Sequence, residues 1–291
     1  MLNLQTAHKN FVEKLRKDGK SEATVVAYSK DIEQLLSHLS EMGINLVNEI
    51  KLAHLESFMK KLSAADYTPK SVSRKTNATR TFIKYLHTEG HITENISLGL
   101  RHPKLENKAP RILTRMEYRA LRDATRNDLR TYAMIEMLLQ TGVTISELSE
   151  IKIEHLTLTG ATGNLFVPKK NNKEARNIPL NKAVIDAINR YMREERNNIK
   201  GSEYLFVTKT GNPLLIRNIR STIDRYFKLA GVENAKVNDL RHTFVAHHLA
   251  SGVSIIFLSK VAGHKRISTT ERYLQYVQRA GDQEKTELET L

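Results

Sequence analysis

The segment NDLRHTFVAHHLASGVSIIFLSKVAGHKRISTTERY, Asn238 to Tyr273, sets an arginine, a histidine and a tyrosine on three consecutive helix-like pieces. Asn238 and Asp239 have the chemistry of N-caps, and the spacing predicts a helix from Leu240 to Ala250 that stops near Gly252. Arg241 then falls in a first turn, where free N–H groups and the positive helix end favour an anion such as phosphate. Ser254 is expected to cap a second helix, Ile255 to Ala262, with a buried stripe at Ile256, Phe257, Lys260 and Val261. Gly263 ends that helix and leaves His264 in a loop; Ser268 and Glu271 make a capping box for a third helix, which carries Tyr273.

These residue types suit a phosphate diester. A tyrosine hydroxyl ionises near about pH 10 and needs cationic or hydrogen-bonding neighbours to attack. Arginine grips two phosphate oxygens at once, and histidine donates to an oxygen or moves a proton near neutrality. Each residue alone has an ordinary meaning: an amphipathic tyrosine, a solvated or capping arginine, a turn histidine. Their order and spacing carry the signal.

Arg241 in LRHTF, the dipeptide Gly263-His264, and STTERY with its tyrosine nine positions after the histidine together resemble the C-terminal signature of the tyrosine recombinases, the phage-integrase and Xer-like family. The resemblance implies a mainly α fold with a small antiparallel β-sheet: an N-terminal helical SAM-like core-binding domain followed by a recombinase catalytic domain.

Composition agrees with a DNA partner. The 291 residues hold 46 Lys and Arg against 32 Asp and Glu, a formal charge of +14, which points to a polyanion. With no cysteine, disulfides, zinc-thiolate sites and a cysteine nucleophile are excluded. The histidines at 242, 247 and 248 lack a same-face HExxH pattern, so neither a metal nor another cofactor is expected. The start MLNLQTAHKN has no apolar signal region and no run of 18 apolar residues occurs, so a soluble cytoplasmic, nucleoid-associated protein is expected.

Residues 1–100 read as all-helical. After Ser21, the positions Val25, Tyr28, Ile32, Leu35, Leu36 and Leu39 mark one face; Thr68-Pro69 opens a helix through Val72, Phe82 and Leu86 to Gly90; shorter helices fit Ala7 to Lys17 and Leu52 to Leu62. Seven basic residues lie between Lys60 and Lys84 against one acid, and Lys70, Arg74, Lys75 and Arg80 are candidates for a DNA-backbone face. Residues 101–111, RHPKLENKAPR, read as a linker, which in the family lets two domains close on a duplex as a C-shaped clamp. Residues 112–280 mix α and β: a capping box at Thr114 and Glu117, a helix from Asp128 to Gln140 ending at Gly142, and β-rich stretches at Leu156–Leu158, Leu165–Val167 and Arg176–Ile178. Helices follow from the Asn181 cap and through Ile216, Ile219, Ile223 and Phe227. Residues 281–291 are expected to be a tail that docks on a neighbouring protomer.

The resemblance assigns the catalytic set residue by residue. Arg241, His264 and Tyr273 match directly, with Tyr276 the rival hydroxyl three residues out of register. In TGVTISELSEI the family's first phosphate-clamping arginine falls on Thr144, a departure; losing one such donor costs about 10² to 10³ in rate. The family's histidine or lysine three positions before Arg241 is Asn238, which can donate a hydrogen bond but cannot act as an acid or base at neutral pH. In the hairpin VPKKNNKEARNIPL the leaving-group lysine is Lys170, with Lys169 the runner-up; Lys169 and Lys173 are also candidates for phosphate contact. The implied reaction is a metal-free transesterification through a 3′-phosphotyrosyl link, performed by a homotetramer on double-stranded DNA, with an accessory DNA-bending protein as a further partner. Thr144 and Asn238 also suit an alternative: a catalytically weakened recombinase-fold protein that binds DNA as an accessory or regulatory factor. A topoisomerase IB-like relaxing enzyme uses the same chemistry but fits the helical N-terminal region poorly.

Overall fold

Ser21 and Thr68 open the two longest helices of the N-terminal unit, each by accepting a backbone N–H three residues on, from Thr24 and Ser71 at 3.3 Å. Those helices, α2 (Glu22–Glu41) and α4 (Pro69–Thr88), pack with α1 (Leu4–Lys17) and α3 (Leu52–Ala64). Their shared core takes Phe11 and Leu15 from α1, Ile32, Leu35, Leu36 and Leu39 from α2, Leu55 and Phe58 from α3, and Phe82, Ile83 and Leu86 from α4. The apolar stripes predicted on α2 and α4 are therefore the buried ones, and Tyr28 lies at their margin. The computed structural model describes residues 2–106, 108–160, 162–170 and 173–277. Its two units divide between Asn107 and Lys108. The stretch 281–291, expected as a docking tail, lies outside the described residues.

In the second unit Thr114 and Glu117 form the expected capping box at the start of α5 (Arg115–Thr125). Asp128 caps α6 (Leu129–Thr141), a helix buried on nearly all sides. A short α7 (Ile145–Leu148) follows, then a meander of β1 (Leu156–Thr159), β2 (Thr162–Val167) and β3 (Arg176–Leu180), antiparallel in the order β1-β2-β3. Leu165 and Ile178 pair across β2 and β3 and point into the core that α6 and α8 (Lys182–Glu194) share. α9 (Ile216–Leu229) buries Ile219, Ile223 and Phe227, one face at helical spacing. The chain ends in α10 (Val237–Ala250), α11 (Ile255–Ala262), α12 (Ser268–Glu271) and a 3₁₀ segment, Arg272–Tyr276. No described helix is long and apolar enough to cross a membrane.

Three local expectations are corrected. α10 starts one turn early: Lys236 is its N-cap, the Asp239 carboxylate accepts from Lys236 N at 2.8 Å, and Asn238 and Asp239 are helical rather than capping. Arg241 accordingly lies in the second turn, so its phosphate-binding capacity rests on its guanidinium and not on free N–H groups beside it. On α11 the buried positions are Leu258, Ser259, Val261 and Ala262, while Ile256 is exposed. Ser268 is the first residue of α12 and caps nothing.

Gly142 joins this scaffold to the site. It ends α6 in the left-handed region at φ 62°, and a Cβ there would stand 2.3 Å from Phe244 Cδ1 of α10. Strained φ and overpacking add, so Gly142→Ala is expected to lose about 2–4 kcal/mol. Urea unfolding followed by circular dichroism measures it.

Candidate active site

A largely buried carboxylate, its side chain 10 % exposed, gathers the site. Glu147, on α7, accepts from Arg176 Nη1 and Nη2 at 3.0 and 3.1 Å, from Lys173 Nζ at 3.2 Å and from Thr144 N at 2.8 Å. Burial alone would raise this carboxyl, but the Arg176 hydrogen bonds and charge, the Thr144 N–H and Lys173 outweigh it and hold the pKa at about 2. Arg176, the first residue of β3, also donates from Nε to the Val261 carbonyl of α11 at 2.8 Å, so all three of its donor nitrogens are engaged. Gly263 must be glycine on two counts: its φ is +68°, and a Cβ would meet Arg176 Cζ at 2.8 Å. The GH dipeptide thus lays its backbone on the guanidinium and leads directly into His264.

Arg241 is only 8 % exposed and donates through Nη1 to the Gly142 carbonyl, which fixes the guanidinium and leaves other N–H donors for a ligand. Burial lowers its pKa, Arg176 lowers it further and Glu147 opposes both. His264 Nδ1 lies 2.7 Å from the hydroxyl of buried Thr270. Burial first, then the charges of Arg241, Lys173 and Arg176, push its pKa down to about 4. Tyr273 is 6 % exposed and its hydroxyl lies 2.5 Å from His242 Nδ1. The other ring nitrogen, Nε2, is 2.7 Å from the Asn238 amide nitrogen. Burial raises the Tyr273 pKa and Arg241 pulls it partly back, so the unbound protein holds a phenol.

Arg241, His264 and Tyr273 are therefore brought together, and Asn238 joins them through His242. Tyr276, the rival hydroxyl, is 37 % exposed and makes no hydrogen bond among the described residues. Thr144, where the resemblance lacks its arginine, caps α7: its hydroxyl accepts from Glu147 N at 3.3 Å and donates to Glu147 Oε2 at 2.9 Å. Thr144, Asn238 and Arg241 line one cavity of about 480 Å³, shared with Arg220 and Lys236. A second, of about 710 Å³, is lined by Lys173, Arg176, His264 and Lys265.

The hairpin lysines separate. Backbone bonds between Lys170 and Lys173 close the turn; Lys170 pairs with partly exposed Glu150, Lys169 with Glu174 at 3.0 Å, and Lys173 with largely buried Glu147. In the N-terminal unit the expected basic face is thinner than the sequence count. Lys75 is 5 % exposed, bound to Asp31 at 2.9 Å, and presents no charge to solvent. Arg74 shares Asp31, and Arg80 donates to the Leu100 carbonyl, while Lys70 stands exposed. Among the described residues no group of three His, Asp or Glu side chains could hold a metal ion.

The phage integrase family model matches residues 106–279, and the N-terminal SAM-like domain of phage integrases matches residues 9–90. The chain belongs to the phage integrase family. Its relatives include tyrosine recombinase XerC of Staphylococcus saprophyticus subsp. saprophyticus, 31% identical over 87% of this chain and 86% of that protein. Tyrosine recombinase XerD of Vibrio cholerae is 30% identical over 88% and 86%. A lambda integrase tetramer bound to a Holliday junction shares the fold at 18% identity, with a TM-score of 0.75 over 94% of this chain and 77% of that one. This tyrosine recombinase thus has the two-part, mainly helical fold with a three-stranded sheet that its motifs implied.

Four members of the cluster were not assigned to it from sequence: Glu147, Arg176 and Thr270 were not singled out, and His242 was weighed only as a metal ligand. Glu147 could have been found, since Thr144 and Glu147 have capping-box spacing and a carboxylate beside a basic hairpin invites pairing. The contact between His242 and Tyr273 spans 31 positions and leaves no local mark. Side-chain ¹⁵N NMR titration of the DNA-free protein is expected to show His264 neutral down to about pH 4. A midpoint above pH 6 contradicts the cationic surroundings described.

Proposed function

We propose that this site-specific recombinase cuts and rejoins DNA by attack of Tyr273 on a phosphate diester. The observation that carries it is the Tyr273 hydroxyl held on His242 beside Arg241 and His264. The tyrosine oxygen bonds to phosphorus and the P–O5′ bond breaks, giving a 3′-phosphotyrosyl link and a free 5′ hydroxyl. Turning the Asn238 amide lets its carbonyl accept from His242 Nε2–H, and Nδ1 then receives the phenol proton. Arg241 grips the non-bridging oxygens. With Thr270 donating to Nδ1, neutral His264 donates from Nε2 to the same phosphate.

Lys170 returns a proton to the leaving 5′ oxygen. Its pair with Glu150 is solvent-exposed and of the kind that contributes about 0–1 kcal/mol, so it is cheaply broken. Lys173 would have to abandon a largely buried carboxylate. Strand exchange needs two duplexes, and we take the assembly to be a homotetramer on DNA, as in the lambda integrase complex, working in the cytoplasm at the nucleoid with an accessory DNA-bending protein. Exposed Lys70 and Lys169 are assigned to phosphate contact. Thr144 and Asn238 are compatible with a purely DNA-binding accessory protein, but the assembled nucleophile is not explained by that role.

The test uses the protein's own site nicked beside the scissile phosphate, so that strand loss traps the intermediate. An SDS-resistant protein–DNA adduct is expected, absent in Tyr273→Phe. Lys170→Ala slows it by about 10² to 10⁴, and a 5′-bridging sulfur, which leaves without a proton, largely restores the rate. Intact binding with no adduct overturns the enzyme assignment; an adduct in Tyr273→Phe overturns the nucleophile.

A further inference from the structure

We propose that Arg220, on α9, is the second phosphate clamp of this active site, in place of the arginine absent at Thr144; the inference rests on the recombinase reading above. Arg220 lines the same cavity as Thr144, Asn238 and Arg241. It stands beside the buried face of α9, one position on from Ile219 and four before Asp224, and α9 packs against α7, the helix that Thr144 caps. An exposed guanidinium on α9 thus shares the cavity wall with Arg241, which reaches it from α10. Arg220, Lys236 and Arg241 contribute three positive charges to the lining and Asp224 one negative, a formal surplus of two, which suits one phosphate diester.

The rival arginine is excluded by its bonds. Arg176 is near enough to Arg241 to lower its pKa, yet its Nη1/Nη2 edge holds the Glu147 carboxylate and its Nε holds the Val261 carbonyl, so neither bidentate edge is open to a phosphate and its charge is already paired. Arg220 makes no hydrogen bond or ion pair among the described residues, not even with Asp224 one turn away, and its fork is free for two oxygens. Lys236, the exposed N-cap residue of α10, offers a point charge only. Thr144 therefore keeps α7 and Glu147 in place, while the charge its position lacks comes from α9.

The experiment is a phosphate-neutralisation scan. The probe is a duplex that this protein selects from a pool with a randomised centre, its phosphates replaced one at a time by neutral methylphosphonate. In the Tyr273→Phe background, which forms no covalent link, one position is expected to dominate the loss of affinity. Adding Arg220→Ala shrinks the penalty at that position about tenfold, the size of one charged hydrogen-bonding contact, and leaves the other positions unchanged. Arg220→Lys, which keeps the charge and the exposed helical position, shrinks it less. An undiminished penalty in Arg220→Ala overturns the clamp. With Tyr273 present, Arg220→Ala slows adduct formation on the nicked duplex by about 10² to 10³. If the unaltered protein forms no adduct, the recombinase reading falls, and the affinity scan still decides Arg220.

Discussion

The largely buried carboxylate of Glu147 is the tie on which the site depends. It takes hydrogen bonds from the turn after α6 through Thr144, from the hairpin through Lys173 and from β3 through Arg176. Arg176 in turn holds the end of α11 and underlies Gly263, so His264 is placed by the same network. Removing one partner of such a pair typically costs about 3–5 kcal/mol, since the other charge stays buried. The sign of its pH dependence follows from a depressed carboxyl. The stabilisation is present above the usual 4.5 and is lost as pH falls towards about 2.

That tie also explains how a site missing a phosphate-gripping arginine keeps its shape. An N-cap threonine at 144 secures α7 by its hydroxyl and its N–H, a structural task that an arginine side chain cannot perform in the same way. The cavity next to it remains open and positively lined. Charge and scaffold are thereby carried by different residues, Arg241 and Arg220 for the first, Thr144 and Glu147 for the second. The Tyr273 hydroxyl stays protonated in the unbound protein for a related reason: burial raises the phenol more than Arg241 lowers it.

Much of the fold was legible because its signals are local. Ser21, Thr68, Thr114, Asp128 and Asn181 all cap the helices that follow them, and Gly142 and Gly263 end theirs with positive φ. The errors are also local. Asn238 and Asp239 look like caps, but Lys236 and Val237 already have the geometry that begins α10, and Asp239 serves as the N3 acceptor instead. Long-range pairings were not legible: Lys75 reads as a surface cation until Asp31, 44 positions away, is folded against it. His242 was weighed only as a metal ligand, because its partner Tyr273 is brought in only by tertiary packing. Motif spacing, by contrast, located Arg241, His264 and Tyr273 without any packing information.

The central claim is that the Tyr273 hydroxyl is the nucleophile of this cluster and accepts the 3′ phosphoryl group. Its most direct measurement is mass spectrometry of the adduct trapped on nicked DNA, after digestion with nuclease and protease. The account predicts a peptide containing Tyr273 that carries a nucleotide through its 3′ phosphate. The same mass on a peptide modified at Tyr276, or a nucleotide attached through its 5′ phosphate, would contradict it.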